Sequence, residues 1–499
     1  MHAPPTDLPA LPPQQSGAPY RNPEPSTGPT DQPSGPAWWM WALVSGLFLL
    51  YATLSLRIHE QLGSHSFDLA IFEQAVRSYA EGHLPVSEVK GAGFPVLGDH
   101  FSPILALLAP LYWLAPSART LLMAQAGLIA VSVLPLTLWA RRTLGSPAAA
   151  MIGLCYGLSW GIANAAAFDF HEWVFAVPLL ACSLSALGSG RLRAAACWAV
   201  PLVLVKEDLG LTVAVIGLVI AWRAGRGGRR AGIALAVAGA ACTALAMLVV
   251  LPALNPNGSY FYASFLGGGS GAGGGGGFGA LLYKLTIGLV TPDTKVTTLM
   301  MVFAPTLFLA LRSPLVLVAV PSLVWRGVSD YWPHWTTGYH YSLTLMPIVF
   351  AALIDALGRR GTSPAGLRRA LVGIAGVCLL LLPVYAVGRM AKAEFWRDDP
   401  RAVVAQHLMA RIPDGATVQA SDALVPHLAN RTSVSLFGWP ESRPEPQWIM
   451  VDTRVAPDKR WPLSLRDESI SLAQARSRGY KSVAQRDGFV LLNRPDRRS

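Results

Sequence analysis

The stretch VLGDHFSPILALLAPLYWLAP, residues 96–116, sets a carboxylate and an imidazole, Asp99 and His100, directly ahead of an apolar run at 103–115 that Pro116 ends. That run is too short for a bilayer crossing, which takes roughly 20 apolar residues. Pro103 suits a first helical turn, where a missing N–H costs nothing. The segment therefore predicts a short helix at the membrane surface, opened by polar groups, in a chain otherwise built of spans.

Composition makes the surrounding chain a multi-pass protein of the cell membrane. Of 499 residues, 52% are hydrophobic and 14% charged, where soluble domains carry about 25% charged residues. The formal charge of +11 would fit a nucleic-acid partner on a soluble surface. Here the basic residues sit in short connections between apolar runs, so they report orientation and no nucleic acid is expected. All five cysteines, Cys155, Cys182, Cys197, Cys242 and Cys378, fall inside apolar runs, which reads as small buried hydrophobes and neither disulfides nor a zinc cluster.

Residues 1–36 are rich in Pro, Ser and Gln with almost no apolar clusters and read as a disordered cytoplasmic tail. The run at 38–56 is an uncleaved first span, since no basic segment precedes it and no small-residue cleavage site follows. Further runs at 118–140, 147–164, 172–188, 193–205, 209–222, 231–251, 296–311, 314–325, 341–357 and 369–388 give about eleven crossings in all. A transmembrane domain thus occupies 37–390, and the composition turns soluble at 391–499. There a helix, a Pro-Asp-Gly turn and the runs TSVSLF, QWIMVDT and GFVLLN predict a small extracytoplasmic α/β domain. The run GGGSGAGGGGG at 267–277 lacks the Lys-Ser/Thr of a phosphate loop and reads as a linker or mobile flap.

Alternate connections carry Arg141 and Arg142; Arg191 and Arg193; Arg223, Arg226, Arg229 and Arg230; Arg312; and Arg359, Arg360, Arg368 and Arg369. By the positive-inside rule these are cytoplasmic, which puts the N-terminus inside and the C-terminal domain outside. The other connections, SFDLAIFEQAVRSYAEG, GDHFSP, AFDFHEW, VKEDLG and WRGVSDYWPHWTTGYHY, hold nearly every acid and histidine of the membrane half. The same parity folds 193–222 into a hairpin with Lys206, Glu207 and Asp208 at its outer tip, because one long span would leave basic loops on both sides.

Ionisable groups gathered on one face of a membrane protein point to function. Phe67, Ile71, Phe72, Ala75, Val76 and Tyr79 recur at helical spacing, which predicts an amphipathic surface helix with Asp68 in its first turn. Asp68 there either caps the helix or does chemistry. Two surface helices opened by Asp68 and by Asp99 with His100 would wall a cleft suited to a lipid-linked substrate. Sugar transfer from a polyprenyl phosphate needs a carboxylate to take the acceptor hydroxyl's proton as the anomeric carbon becomes oxocarbenium-like. It also needs cations to steady the departing phosphate.

Asp68 is the candidate base, with Asp99 and His100 as further catalytic candidates. Lys206 is the candidate phosphate ligand, ahead of Arg326, His340 and His100, and alternatively an ordinary ion pair with Glu207 and its neighbours. Asp169, His171 and Glu172 of FDFHEW offer substrate contacts, and Asp169 with His171 a divalent-cation site. The aromatic loop from Trp325 to Tyr341 reads as an interfacial belt or a sugar-stacking gate.

The order of DLAIFEQ at 68–74, GDHFSP at 98–103, FDFHE at 168–172, KED at 206–208 and HYS at 340–342 resembles a bacterial polytopic family known only as a domain of unknown function. The resemblance covers about residues 40–450. That family is similar in architecture to the C-type (GT-C) superfamily of glycosyltransferases. The similarity implies an α-helical polytopic fold, two juxtamembrane helices in the first outer loop, a catalytic acid at the first of them and a C-terminal outer domain. It further implies a polyprenyl-phosphate-sugar donor in the membrane lipids and an inverting transfer to an extracytoplasmic glycan, lipid or protein. Asp68 occupies the place of that acid, flanked by Phe67 and Leu69 where the superfamily usually carries an acidic doublet.

Two other classes stay open. A transporter or lipid flippase would use Lys206 to Asp208 as a midplane site on broken helices, although polar groups on one face do not suit alternating access. A non-enzymatic anchor for the C-terminal domain would leave the polar outer loops without purpose.

Overall fold

Helix ends follow the charges and turn residues of the chain. The computed structural model describes residues 36–258, 278–359 and 363–494; the tail at 1–35 and the glycine run lie outside the described residues. Among the described residues six helices are long and apolar enough to cross a membrane: Trp38–Glu60, Ala118–Leu144, Ser146–Phe168, Gly225–Leu254, His340–Arg359 and Pro364–Leu381. Shorter apolar helices at Glu172–Gly188, Leu192–Leu204, Leu209–Arg223 and Pro314–Val328 correspond to four more of the expected runs.

The run at 296–311 behaves differently from the expectation. Its α-helix, Asp293–Phe303, ends just before a short turn containing Pro305, and Leu307 and Phe308 take left-handed φ values of 50° and 57°. Proline lacks the N–H a helix interior requires, so an apolar composition that looked continuous is a broken element.

The basic connections gather at one end of the bundle. Asp355 Oδ1 pairs with Arg359 Nε at 2.8 Å and Arg223 Nη2 at 3.7 Å, while its Oδ2 accepts from Ser313 Oγ at 2.5 Å. Arg223 Nη1 donates to Leu187 O at 2.9 Å, and Thr143 packs on Gly358. Chain ends after the spans at 144, 188, 223, 312 and 359 thus meet, and the Lys206 to Asp208 turn falls at the opposite end, as the hairpin requires. Leu209–Arg223 packs closely on Gly225–Leu254 because Gly210 and Gly217 meet Gly239 and Gly232, where a Cβ would strike the facing backbone. Small residues let helix backbones approach in lipid.

At the polar end, Ser66–Ala70 forms a kink with non-helical backbone at Phe67 and Asp68, followed by the helix Ile71–Ala80. Its pattern suggests one apolar face lying on a membrane, yet Glu73, Gln74 and Ser78 are buried along with Ile71, Phe72, Ala75 and Val76. The polar side is taken up by the C-terminal domain: Gln74 Nε2 donates to Val434 O at 2.9 Å, and Arg77 Nη1 to Ala429 O and Thr432 O, each at 3.1 Å. The second short helix, Pro103–Leu114, does expose apolar side chains, Leu107, Leu111, Trp113 and Leu114, as an interfacial helix must. Tyr112 Oη donates to Glu73 Oε1 at 3.2 Å and ties the two helices together.

Strands β1 (Val86–Ser87) and β2 (Phe94–Pro95) form a minimal antiparallel ladder between them. The C-terminal domain is a five-stranded mixed sheet of β3 (Thr417–Ala420), β4 (Ser433–Leu436), β5 (Trp448–Asp452), β6 (Lys481–Arg486) and β7 (Phe489–Asn493), in the order β4-β3-β5-β7-β6. β3 runs parallel to β4 and β5, and β7 antiparallel to β5 and β6. Helices Pro400–Met409 and Leu465–Ser477 complete this α/β unit. It is held to the membrane half by Arg443, whose Nε and Nη2 pair with Glu88 at 3.0 and 2.9 Å, and by Asp422.

Candidate functional site

Asp68 sits on a strained backbone. It takes φ +83°, ψ −85°, a γ-turn conformation that is costly for any residue with a Cβ. Among the described residues no side chain caps the helix that follows, so Asp68 makes no capping hydrogen bond, although it is the acidic residue of the first turn. The segment is over-determined by its neighbours: Ser66 N–H donates to Asp422 Oδ1 at 2.8 Å, and His65 gives Asp169 Oδ2 its N–H at 3.1 Å and Nδ1 at 2.9 Å.

Asp68, His100, His171, Lys206, Glu207, Arg326, His340 and Tyr341 line one small hollow, and Trp173, Asp208, Trp325 and His334 complete it. The structure therefore brings eight of the expected residues together, while Asp99, Asp169 and Glu172 stand behind the wall. Asp99 Oδ2 lies 3.2 Å from Lys90 Nζ and 3.4 Å from His100 Nε2. Glu172 Oε1 accepts from Lys206 Nζ at 3.0 Å, and its Oε2 lies 2.5 Å from His171 Nδ1. Asp169 is occupied with His65, so of the pair considered for a cation only His171 turns into the hollow.

Each wall is set by its local sequence. In the loop after Ser146–Phe168, Gln125 clamps the backbone, donating to Asp169 O at 2.8 Å and accepting from His171 N–H at 3.2 Å. Gly98 of GDHFSP lies against the Leu254–Asn255 backbone where no Cβ fits, and Asn255 Nδ2 donates to its carbonyl at 3.0 Å. Phe101 N–H then reaches Glu207 Oε2 at 3.2 Å. Lys206 Nζ lies 2.9 Å from His100 Nδ1, 3.7 Å from Glu207 Oε1 and 5.7 Å from the Trp173 ring.

Arg326 spends its guanidinium on the loop it borders, bonding His334 O, Thr336 O, Tyr341 O and Ser342 Oγ, which makes it a shaper of the wall. The rings of His171 and His340 stack at 3.8 Å. His340 is 2% exposed, and among the described residues neither of its ring nitrogens has a hydrogen-bond partner.

Burial governs the protonation of the site. Burial, then the charges of Asp169 and Glu172, push Asp68 up to about 8 against the pull of Lys206 and His65. Burial likewise lifts Asp169 to about 6 despite its bond from His65, and lifts Asp208, with the Glu207 charge, to about 7. For His65 burial acts downward, but the bond and charge of Asp169, with Asp422 and Asp68, carry it up to about 9. Burial and then Lys206 hold His100 and His171 well below the usual imidazole range. Burial opposes the charge on Lys206, yet Glu172, Glu207 and Asp208 together raise its pKa above the ordinary value. The hollow thus presents the Lys206 ammonium, imidazoles held neutral, and a carboxylate more basic than usual.

His65 escaped the sequence reading. Its signal was present in GSHSFD, just ahead of Asp68, but a histidine beside an acid in sequence says nothing of an aspartate on another loop.

A polar hollow at the end of an apolar helix bundle opposite its arginine loops, with a small sheet domain packed at that end, defines a multi-pass membrane protein. The chain belongs to the predicted membrane protein family DUF2079, whose profile matches residues 58–491. Among solved structures it is similar to ArnT from Cupriavidus metallidurans bound to undecaprenyl phosphate, at 15% identity and a TM-score of 0.54, covering 91% of this chain and 97% of that one. The apo state of the same protein matches at 14% identity and a TM-score of 0.50, with 91% and 97% covered. No curated protein matches the chain.

Proposed function

We propose that this protein is an inverting glycosyltransferase that moves a sugar from a polyprenyl-phosphate donor to an extracytoplasmic acceptor, a cell-envelope glycan, lipid or protein. The observation that carries the reading is the convergence of Asp68 and Lys206 in one hollow, at the end of the bundle opposite the arginines. A protein of the same fold is known bound to undecaprenyl phosphate, which supports a polyprenyl phosphate as the donor's carrier. The N-terminus is then cytoplasmic and the C-terminal domain extracytoplasmic.

The exposed apolar side of Pro103–Leu114 lies where a lipid chain would run. The donor phosphate sits beside Lys206, whose ammonium stabilises the charge that grows as the bond from anomeric carbon to phosphate oxygen breaks and its electron pair leaves with the phosphate. The acceptor oxygen forms the new bond from the opposite face, and its proton passes to Asp68, whose raised pKa suits it to that task. Single displacement inverts the anomeric configuration.

The test is incubation of membranes containing the protein with a panel of radiolabelled polyprenyl-phosphate sugars, followed by assay for glycosylated product and free polyprenyl phosphate. Failure of every donor to release polyprenyl phosphate refutes the proposal. Single cysteines replacing Asp414 and Arg226, in a chain whose five native cysteines are replaced, should label from outside and inside respectively.

A further inference from the structure

We infer that Asp68, His171 and His340 form a binding site for one divalent transition metal of the zinc class. In placing a cation beside the donor phosphate this deepens the glycosyl-transfer reading and rests on it; binding of the metal itself does not.

Each of the three residues offers a ligand atom, and these atoms lie within 4.8 Å of one another. A further observation points the same way. His340 is buried, and among the described residues neither of its ring nitrogens has a hydrogen-bond partner, a state that buried polar groups avoid unless a ligand completes them. His171 Nε2 lies 3.8 Å from Asp68 Oδ1.

The donor set selects the ion. Magnesium and calcium take oxygen ligands, whereas two imidazoles with one carboxylate suit zinc and its first-row neighbours. Three protein ligands leave a position open toward the hollow, where a phosphate oxygen of the donor can enter next to Lys206. One carboxylate oxygen of Asp68 serves the metal and the other stays available to the acceptor hydroxyl. Asp169 takes no part, because His65 occupies it.

The full-length protein, purified in detergent and stripped with a chelator, should on titration retain about one zinc ion per chain through desalting, read by elemental analysis, with magnesium failing to displace it. His340→Ala and His171→Ala should each lose the retained zinc, and His334→Ala, in the same hollow outside the triad, should keep it. Should the alanine variants fail to fold, cobalt(II) added to the stripped wild-type chain gives an independent reading. An intense visible absorption that zinc abolishes is expected. Wild-type protein that retains no zinc and shows no cobalt absorption overturns the inference, as do folded His340→Ala and His171→Ala proteins that bind zinc like wild type. Neither titration uses donor or acceptor: a chain that binds zinc at the triad but cleaves no donor sinks the activity alone, and a chain that transfers sugar while binding no metal sinks this site alone.

Discussion

Replacing Lys206 by Met keeps the side-chain stem and deletes the charge between two buried acids. Nζ lies 3.0 Å from Glu172 Oε1 and 3.7 Å from Glu207 Oε1. At an effective dielectric constant of about 20, the shorter pair alone attracts by roughly 5 kcal/mol, most of which the burial of both ions offsets. The variant mainly experiences an orphaned buried carboxylate, which costs about 3–5 kcal/mol. For a chain of this length that lowers Tm by about 3–5 °C. Removing the nearer acid as well, in Lys206→Met/Glu172→Gln, takes that orphan away and should restore part of the lost Tm. Transfer should fall by about 10²–10³-fold in kcat in both variants, because neither holds the Lys206 ammonium at the leaving phosphate. Thermal melts in detergent followed by tryptophan fluorescence, beside release of polyprenyl phosphate, separate the two effects. Recovery of transfer together with stability in the double variant would refute the phosphate role and leave Lys206 a structural ion pair.

Asp68→Asn preserves shape and tolerates the positive φ, so the protein should insert and melt as wild type while transfer falls by about 10²–10⁴-fold; unchanged turnover would remove Asp68 as base. Gly98→Ala drives a methyl into the Leu254–Asn255 backbone and should cost about 1–3 kcal/mol, seen as a lower Tm; an unaltered melt would contradict that close approach. His427, stacked on His59 at 4.1 Å and buried with Arg119 nearby, is held down to about 4 by burial first and the arginine charge second. The unfolded chain then takes up this proton first, near pH 6.5, so His427 contributes a loss of stability of up to about 3 kcal/mol as pH drops from about 6.5 to about 4, set against the gain from the raised Asp68, Asp169 and Asp208. Melts of wild type and His427→Phe across that range should show the variant gaining on wild type as pH falls; a difference that does not change with pH would contradict the assignment.

Much of the membrane fold was legible because lipid makes the code local: an apolar run spans, and an arginine between runs marks an end. That was enough to place Arg223 and Arg359 together, to fold the chain back at Lys206, and to find the short helix after GDHFSP. It failed at Pro305, where composition concealed a turn, and at Ile71–Ala80, whose polar side meets strands from the far end of the chain. Periodicity reports that a face is polar and not what it touches.

The chain alone therefore determined the spans, the segregation of basic and acidic ends, the surface helices and the pool of ionisable candidates, since partition between lipid and water acts on each segment separately. Only the tertiary structure decided which of them share the hollow. Asp99 and Asp169 carry the same side chain as Asp68, but Lys90 and His65 draw them behind the wall, while His171 and His340 stack beside Asp68 from two different loops. Those choices depend on contacts between residues far apart in sequence, and no local pattern encodes them.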